Sequence, residues 1–140
     1  MKLYSEIIEE FNKATTKAER IAVLQKNDSK HFREFMVGVF NESVKFDVVM
    51  PNTYKPSLEP AGLNFTYLQM EMDKMYRFVV NHPKRDPNLS DKKKTQLMQV
   101  ILESLHKDEA RLMVSLVNKK LDVKYLTPTL VKEAYSGINI

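Results

Sequence analysis

Apolar residues recur along most of the chain at the three-and-four spacing of a helix, and the interruptions fall where helix-stopping residues stand. Leu3, Ile7, Ile8 and Phe11 form one stripe, with Glu6, Glu9, Glu10 and Lys13 on the other side, and predict a first amphipathic helix. Thr16 stands three residues before Glu19, a capping-box arrangement in which each side chain can accept the other residue's backbone N–H. A second helix is therefore expected from Lys17 to about Gln25, burying Ala18, Ile21, Ala22 and Leu24. Asn27, Asp28 and Ser29 supply the next stop and start, after which Phe32, Phe35, Met36, Val39 and Phe40 predict a strongly buried third helix.

From residue 41 to 64 the periodicity fails, because Pro51, Pro56 and Pro60 remove backbone donors and fix φ. Val44, Phe46, Val48 and Val49 favour extended backbone but lack a hairpin partner, so the segment reads as a loop, pinned to the core by Tyr54 and Leu58. Helicity resumes near Phe65, with Leu68, Met72, Met75, Tyr76 and Val79 as its stripe, and ends before His82 and Pro83. Ser90 caps a fifth helix carrying Leu97, Met98, Ile101, Leu102 and Leu105. A sixth follows Lys107 with Leu112, Met113, Leu116 and Val117, ending around Lys119 and Lys120. Thr127 and Pro128 open a last helix that buries Leu130, Val131 and Ala134, and Gly137 offers a left-handed stop. The expected architecture is all-α, a single compact domain over residues 1–140 of about six or seven helices with one long proline-containing loop at about 41–64.

Composition narrows the chemistry. The 140 residues include 43% apolar ones, no Cys, no Trp and only three Gly, which excludes disulfide scaffolds, zinc–thiolate sites, iron–sulfur clusters and a cysteine nucleophile. Acids interrupt the apolar residues of the N-terminal segment in every turn, unlike a signal peptide, and no apolar run approaches the roughly 18 residues of a membrane span. A soluble intracellular protein is expected. His31, His82 and His106 lack the close spacing of paired metal ligands and read as solvated or capping residues. Gly38, Gly62 and Gly137 are too far apart for a phosphate loop or dinucleotide fingerprint. The acid pairs Glu9 and Glu10, Glu71 and Asp73, and Asp108 and Glu109 read as solvated helix faces. No catalytic residue, metal site, cofactor or small-molecule substrate is expected, and no enzyme.

Charge is unevenly spread: the overall +4 compares with +4 over residues 13–33, +3 over 84–94 and −2 over 34–83. Such segregation suits one basic face that attracts phosphate by counterion release, although Lys92 to Lys94 also read as a common solubilising run. Thr15, Thr16 and Lys17 open one helix, and Thr127, Pro128 and Thr129 another, with Lys119, Lys120 and Lys124 just upstream. Both sites offer hydroxyls and free backbone N–H groups at a positive helix end; ordinary capping accounts for the same residues.

Two stretches carry a resemblance. Ser5 to Ile8 with Thr15 to Asn27, and Leu112 to Val123 with Leu126 to Ile138, resemble the N-terminal DNA-binding domain of the ATP-dependent DNA ligases of T4-type phages. Over essentially its whole length, through ESLHKDEA-like and PxxYKP…EPAGL-like segments, the chain is also similar to a family of small uncharacterised proteins of T4-like phages, particularly of marine hosts. The first resemblance implies an all-helical, ligase-like domain that grips duplex DNA through phosphates and the minor groove, using Thr16, Lys17, Arg20, Lys119, Lys120, Lys124 and Thr127. The ligase turn has a glycine shortly after its Asp-Leu pair, where Val123, Lys124 and Tyr125 stand here. The nucleophile motif Lys-x-Asp-Gly is absent, with Lys45 to Val48 and Lys120 to Val123 each lacking the glycine. The expectation is a non-enzymatic phage accessory protein in the cytoplasm of the infected host, binding duplex DNA, nicked or replicating, through its backbone with little sequence specificity. The alternative is an interaction module for a phage replication or host transcription protein, contacting it through Tyr54, Lys55 and Leu58 of the proline-containing loop.

Overall fold

The computed structural model describes residues 2–140. Among them run seven α-helices: α1 (Tyr4–Lys13), α2 (Lys17–Lys26), α3 (Lys30–Phe40), α4 (Leu68–Met72), α5 (Asp91–Ser104), α6 (Lys107–Asn118) and α7 (Pro128–Ala134). A 3₁₀ turn, Met75–Phe78, follows α4. No strand forms among the described residues beyond two isolated bridges, so the expected all-α class holds. The predicted caps hold as well: Thr16, Ser29, Ser90 and Thr127 each accept a backbone N–H at the start of their helix. Lys119 and Gly137 take left-handed backbone after α6 and α7.

The helix α6 is the hub, packed against α1, α3, α4 and α5, while α2 bridges α1 to α7. The hub meets α3 at Gly38, where an added Cβ would stand 2.6 Å from Leu116 Cδ1 and 3.4 Å from Phe46 Cζ of the long loop. The Tyr4 ring meets Phe32 and Phe35 edge-on at 5.0 and 5.4 Å, joining α1 to α3 in the core. At the far end, the buried Tyr135 hydroxyl donates to the Leu24 carbonyl at 2.6 Å and ties the chain after α7 to α2.

Several surface assignments are corrected. Glu109 is 1% exposed rather than solvated. Its two oxygens accept the N–H of Tyr4 and of Leu68, each at 3.0 Å, which are the first residues of α1 and α4. One carboxylate thus neutralises two helix N-termini, whose first N–H groups have no partner inside the helix. Glu71 is also buried and accepts the Thr66 hydroxyl at 2.8 Å. Lys94, expected in a solubilising run, is 2% exposed, and with Arg85 it binds Asp47 of the long loop. These cations, Lys94 first, hold the Asp47 carboxyl below its ordinary range.

The helix expected from Phe65 to Val79 is broken. The 3₁₀ geometry stacks residues three apart, so Met75 and Phe78 share the buried side while Tyr76 turns out. Val79 instead forms an antiparallel bridge with Phe46, the partner that the extended piece lacked in its own neighbourhood. Ala18 and Ala22 of α2 are exposed, because that helix buries only Leu24 fully. Tyr54 packs on the core as expected, but Leu58 is fully exposed and pins nothing.

Removing the Glu109 acceptor leaves two buried N–H groups unpaired, so Glu109→Ala is expected to lower the unfolding free energy by about 2–4 kcal/mol, read by urea titration. Burial pushes the Glu109 carboxyl above its ordinary 4.5, against the pull of the two N–H bonds. The folded form therefore holds this proton more tightly, a contribution present below the unfolded value and lost as pH rises through the folded one. The stability difference between wild type and Glu109→Gln should accordingly fall as pH rises from about 4 to 7; a rise would refute the assignment. The Tyr4 hydroxyl is buried with no hydrogen-bond partner among the described residues. Tyr4→Phe should be neutral or stabilise by up to about 1 kcal/mol, a sign opposite to that of most core changes.

Candidate nucleic-acid interface

Most of the positive charge concentrated in residues 13–33 is neutralised where it stands. Lys17 pairs with Glu133 at 2.9 Å, Lys26 with Glu10 at 3.3 Å and Arg33 with Asp28 at 2.7 Å. Lys13 and Lys30 lie 3.8 and 3.9 Å from Glu9 and Glu34. In residues 84–94, Arg85 and Lys94 are held by Asp47. Among the described residues Lys84, Lys92 and Lys93 remain without an ion pair.

The helix ends expected to hold phosphate are also in use. Thr16 caps α2 by accepting the Glu19 N–H at 3.2 Å. Glu19 then reaches back to the Thr15 N–H at 3.0 Å, one residue earlier than a capping box requires, and accepts the Thr15 hydroxyl at 3.3 Å. A carboxylate already fills that N-terminus and would repel a phosphate. Thr127 accepts the Leu130 N–H at 3.2 Å, with Pro128 as the first helical residue.

What the fold does assemble is a cleft of about 270 Å³ between α2 and α7, lined by Lys17, Arg20, Tyr125, Thr127, Thr129 and Glu133. Residues more than a hundred positions apart meet there because α2 and α7 pack together. The Arg20 guanidinium carbon lies 3.8 Å from the centre of the Tyr125 ring, and Lys124 Nζ lies 5.0 Å from it. Tyr125 is half exposed and has φ 70°, a left-handed backbone that an aromatic residue adopts at a cost of order 1 kcal/mol. The turn is closed by the Leu126 N–H donating to the Val123 carbonyl at 3.1 Å, and Tyr125 holds its third position, where glycine is usual. The tyrosine thus adopts the backbone that a glycine would supply, and adds a ring that the two cations cover.

Four of the seven predicted nucleic-acid residues, Lys17, Arg20, Lys124 and Thr127, therefore gather at or beside this cleft, and Thr16 lies next to Lys17. Lys119 does not. Its ammonium donates to the Gly38 and Asn41 carbonyls at the C-terminal end of α3, and burial lowers its pKa. It satisfies carbonyls that the ending helix leaves free rather than facing a ligand. Lys120 is exposed and lies outside the cleft, its N–H donating to the Ser115 carbonyl at 2.9 Å. The loop residues of the alternative reading diverge: Tyr54 packs inward, the Lys55 N–H donates to Glu103 at 3.0 Å, and Leu58 points into solvent.

Tyr125 and Glu133 were missed by sequence reasoning. The signal available for Tyr125 was an aromatic residue directly after Lys124 in a stretch too short to be a buried stripe. Nothing local connects Glu133 to Lys17. His106 caps α6 by accepting the Asp108 N–H at 3.2 Å, His82 accepts the Lys84 N–H at 3.1 Å within a turn, and His31 hydrogen-bonds Asp73 at 2.8 Å. Among the described residues no cluster of three or more His, Cys, Asp or Glu side chains could hold a metal ion, and no helix is long and apolar enough to cross a membrane.

No curated protein and no solved structure matches the chain. Residues 7–123 match a family of unknown function, DUF6433; the match takes in α2 through α6 and stops just before Lys124 and Tyr125. Since that match spans well over half of its residues, the chain belongs to the DUF6433 family.

Proposed function

We propose that the protein binds the phosphate backbone of duplex DNA through the α2/α7 cleft, as a non-enzymatic accessory with little sequence preference. The observation that carries this reading is the Arg20–Tyr125–Lys124 stack at an accessible edge of the fold. A guanidinium set over a ring rather than against a carboxylate keeps N–H groups free for an acceptor, and such groups fit phosphate oxygens in pairs. Arg20 enters no ion pair among the described residues, and Lys17 is held only by an exposed one, worth at most about 1 kcal/mol and easily exchanged for a phosphate. Hydroxyls of Thr127 and Thr129 stand beside these cations as further donors. The segments that resemble the phage ligase DNA-binding domain, residues 15–27 and 126–138, supply Lys17 and Arg20 on one side of the cleft and Thr127, Thr129 and Glu133 on the other, while Lys124 and Tyr125 lie outside them.

Fluorescence anisotropy of a labelled duplex, nicked and intact, tests the proposal. With about three phosphate contacts the affinity should fall about 40-fold between roughly 50 and 200 mM salt. Arg20→Ala and Lys124→Ala should each weaken binding, whereas Glu133→Gln should tighten it by freeing Lys17 and removing the cleft's carboxylate. Lys119→Met should leave affinity unchanged while lowering stability by about 1–2 kcal/mol, since two carbonyls lose their donor. Absence of binding at the lower salt, or insensitivity to Arg20 and Lys124, would sink the proposal. A preference for the nick would extend the ligase resemblance to function.

A further inference from the structure

A second surface, independent of the α2/α7 cleft, lies where the α4 segment and its 3₁₀ continuation run alongside α5. Phe65 is 92% exposed there, Val100 63% and Met70 50%, with half-buried Leu97 completing the floor of a groove of about 360 Å³. Single exposed apolar residues are ordinary, but these line one groove. The loop from 57 to 66 is tied at both ends to the C-terminal end of α5, by Ser57 N–H to the Leu105 carbonyl and Thr66 N–H to the Ser104 carbonyl. It carries two further exposed leucines, Leu58 and Leu63.

The rim is cationic. Lys74 and Arg77 line the groove, and among the described residues the one carboxylate that lines it, Glu71, is buried, accepts the Thr66 hydroxyl and stands 3.7 Å from the Lys74 ammonium. Arg77 donates Nε–H to the Lys74 carbonyl and lies over the Phe78 ring, and it makes no ion pair among the described residues. The lining therefore keeps a net positive charge, carried by Arg77 and the exposed ammonium of Lys74 against one buried carboxylate, and an apolar floor with such a rim is complementary to an apolar stripe edged by carboxylates. A second copy of this chain fits poorly, because a twofold contact places the patch on itself and so sets one net positive rim against another.

We propose that this groove docks an acidic amphipathic helix of a partner protein, its apolar stripe seated on Phe65, Met70, Leu97 and Val100 and its carboxylates on Lys74 and Arg77. The probe is a labelled synthetic peptide of about four helical turns, with leucines at helical spacing and glutamates between them, compared with a counterpart carrying lysines in place of the glutamates. Anisotropy titrations of the full chain should give a dissociation constant in the range of about 10–100 µM for the acidic peptide and at least about tenfold weaker binding of the basic one. Val100→Asp should abolish binding. The double variant Lys74→Glu with Arg77→Glu should reverse the preference between the peptides. Val100 is exposed, so the thermal melt of Val100→Asp should match wild type, and Arg20→Ala, which alters the other surface, should bind the peptide normally. Equal affinity for both peptides, or no binding of the acidic one, overturns the proposal. So does a concentration-dependent dimer in sedimentation that Val100→Asp dissolves, which would give the face to a second copy.

Discussion

The carboxylate of Glu109 is the constraint on which the arrangement of helices depends. It sits in the first turn of α6, yet its two oxygens hold the first N–H groups of α1 and α4, segments that begin 105 and 41 residues away in sequence. A five-residue helix such as α4 has too few internal hydrogen bonds to persist alone, so its start must be held from outside. Burial opposes the charge while the hydrogen bonds from the Leu68 and Tyr4 N–H groups favour it, and burial is the larger influence, so the carboxyl sits above its ordinary range. The hub helix therefore does more than fill space with Ala110, Leu112, Met113 and Leu116: it sets where two neighbours begin.

The sequence made the helices legible wherever local spacing decides the outcome. The stripes of α1 and α3, the caps at Thr16, Ser29, Ser90 and Thr127, and the failure of periodicity between 41 and 64 all rest on contacts within a few residues. Misread positions depend on distant partners. Glu109 and Lys94 look like surface residues in any window of a few turns, and only the meeting with Tyr4, Leu68 and Asp47 gives them a reason to be inside. The break after α4 belongs to the same class, because the bridge between Phe46 and Val79 competes with continued helix and draws the 3₁₀ turn into line with residues 45–47. Phe65 stands ahead of the stripe that opens α4, and a lone large apolar residue outside a stripe carries no information about which side it faces.

Charge shows the same limit more sharply. A net +4 over residues 13–33 reads as a basic patch along the chain, but the fold supplies Glu10 and Glu133 from outside that segment, and Asp28 inside it takes Arg33. Summed charge over a window measures what a segment brings, while a phosphate experiences what is left after neighbours have paired. Arg20 retains its charge because its neighbour is a ring instead of a carboxylate. That substitution of aromatic for acid also explains why Tyr125 occupies a backbone conformation suited to glycine: the ring covers the guanidinium without neutralising it, and the interaction offsets the strain.

The two surfaces hang on different parts of the frame. The cleft is made by α2 and α7, which pack on each other, and α2 reaches the rest of the structure mainly through α1; the groove is made by α4 and α5, which pack on α6. The route between them runs from α1 to α6, and there the Tyr4 N–H is locked onto Glu109 inside a close-packed core. A junction with one well-packed arrangement has no second state for a ligand to favour, and coupling requires such a state. Were both proposals correct, a polyanion at one end and an acidic helix at the other would bind through different helices, each without altering the affinity for the other.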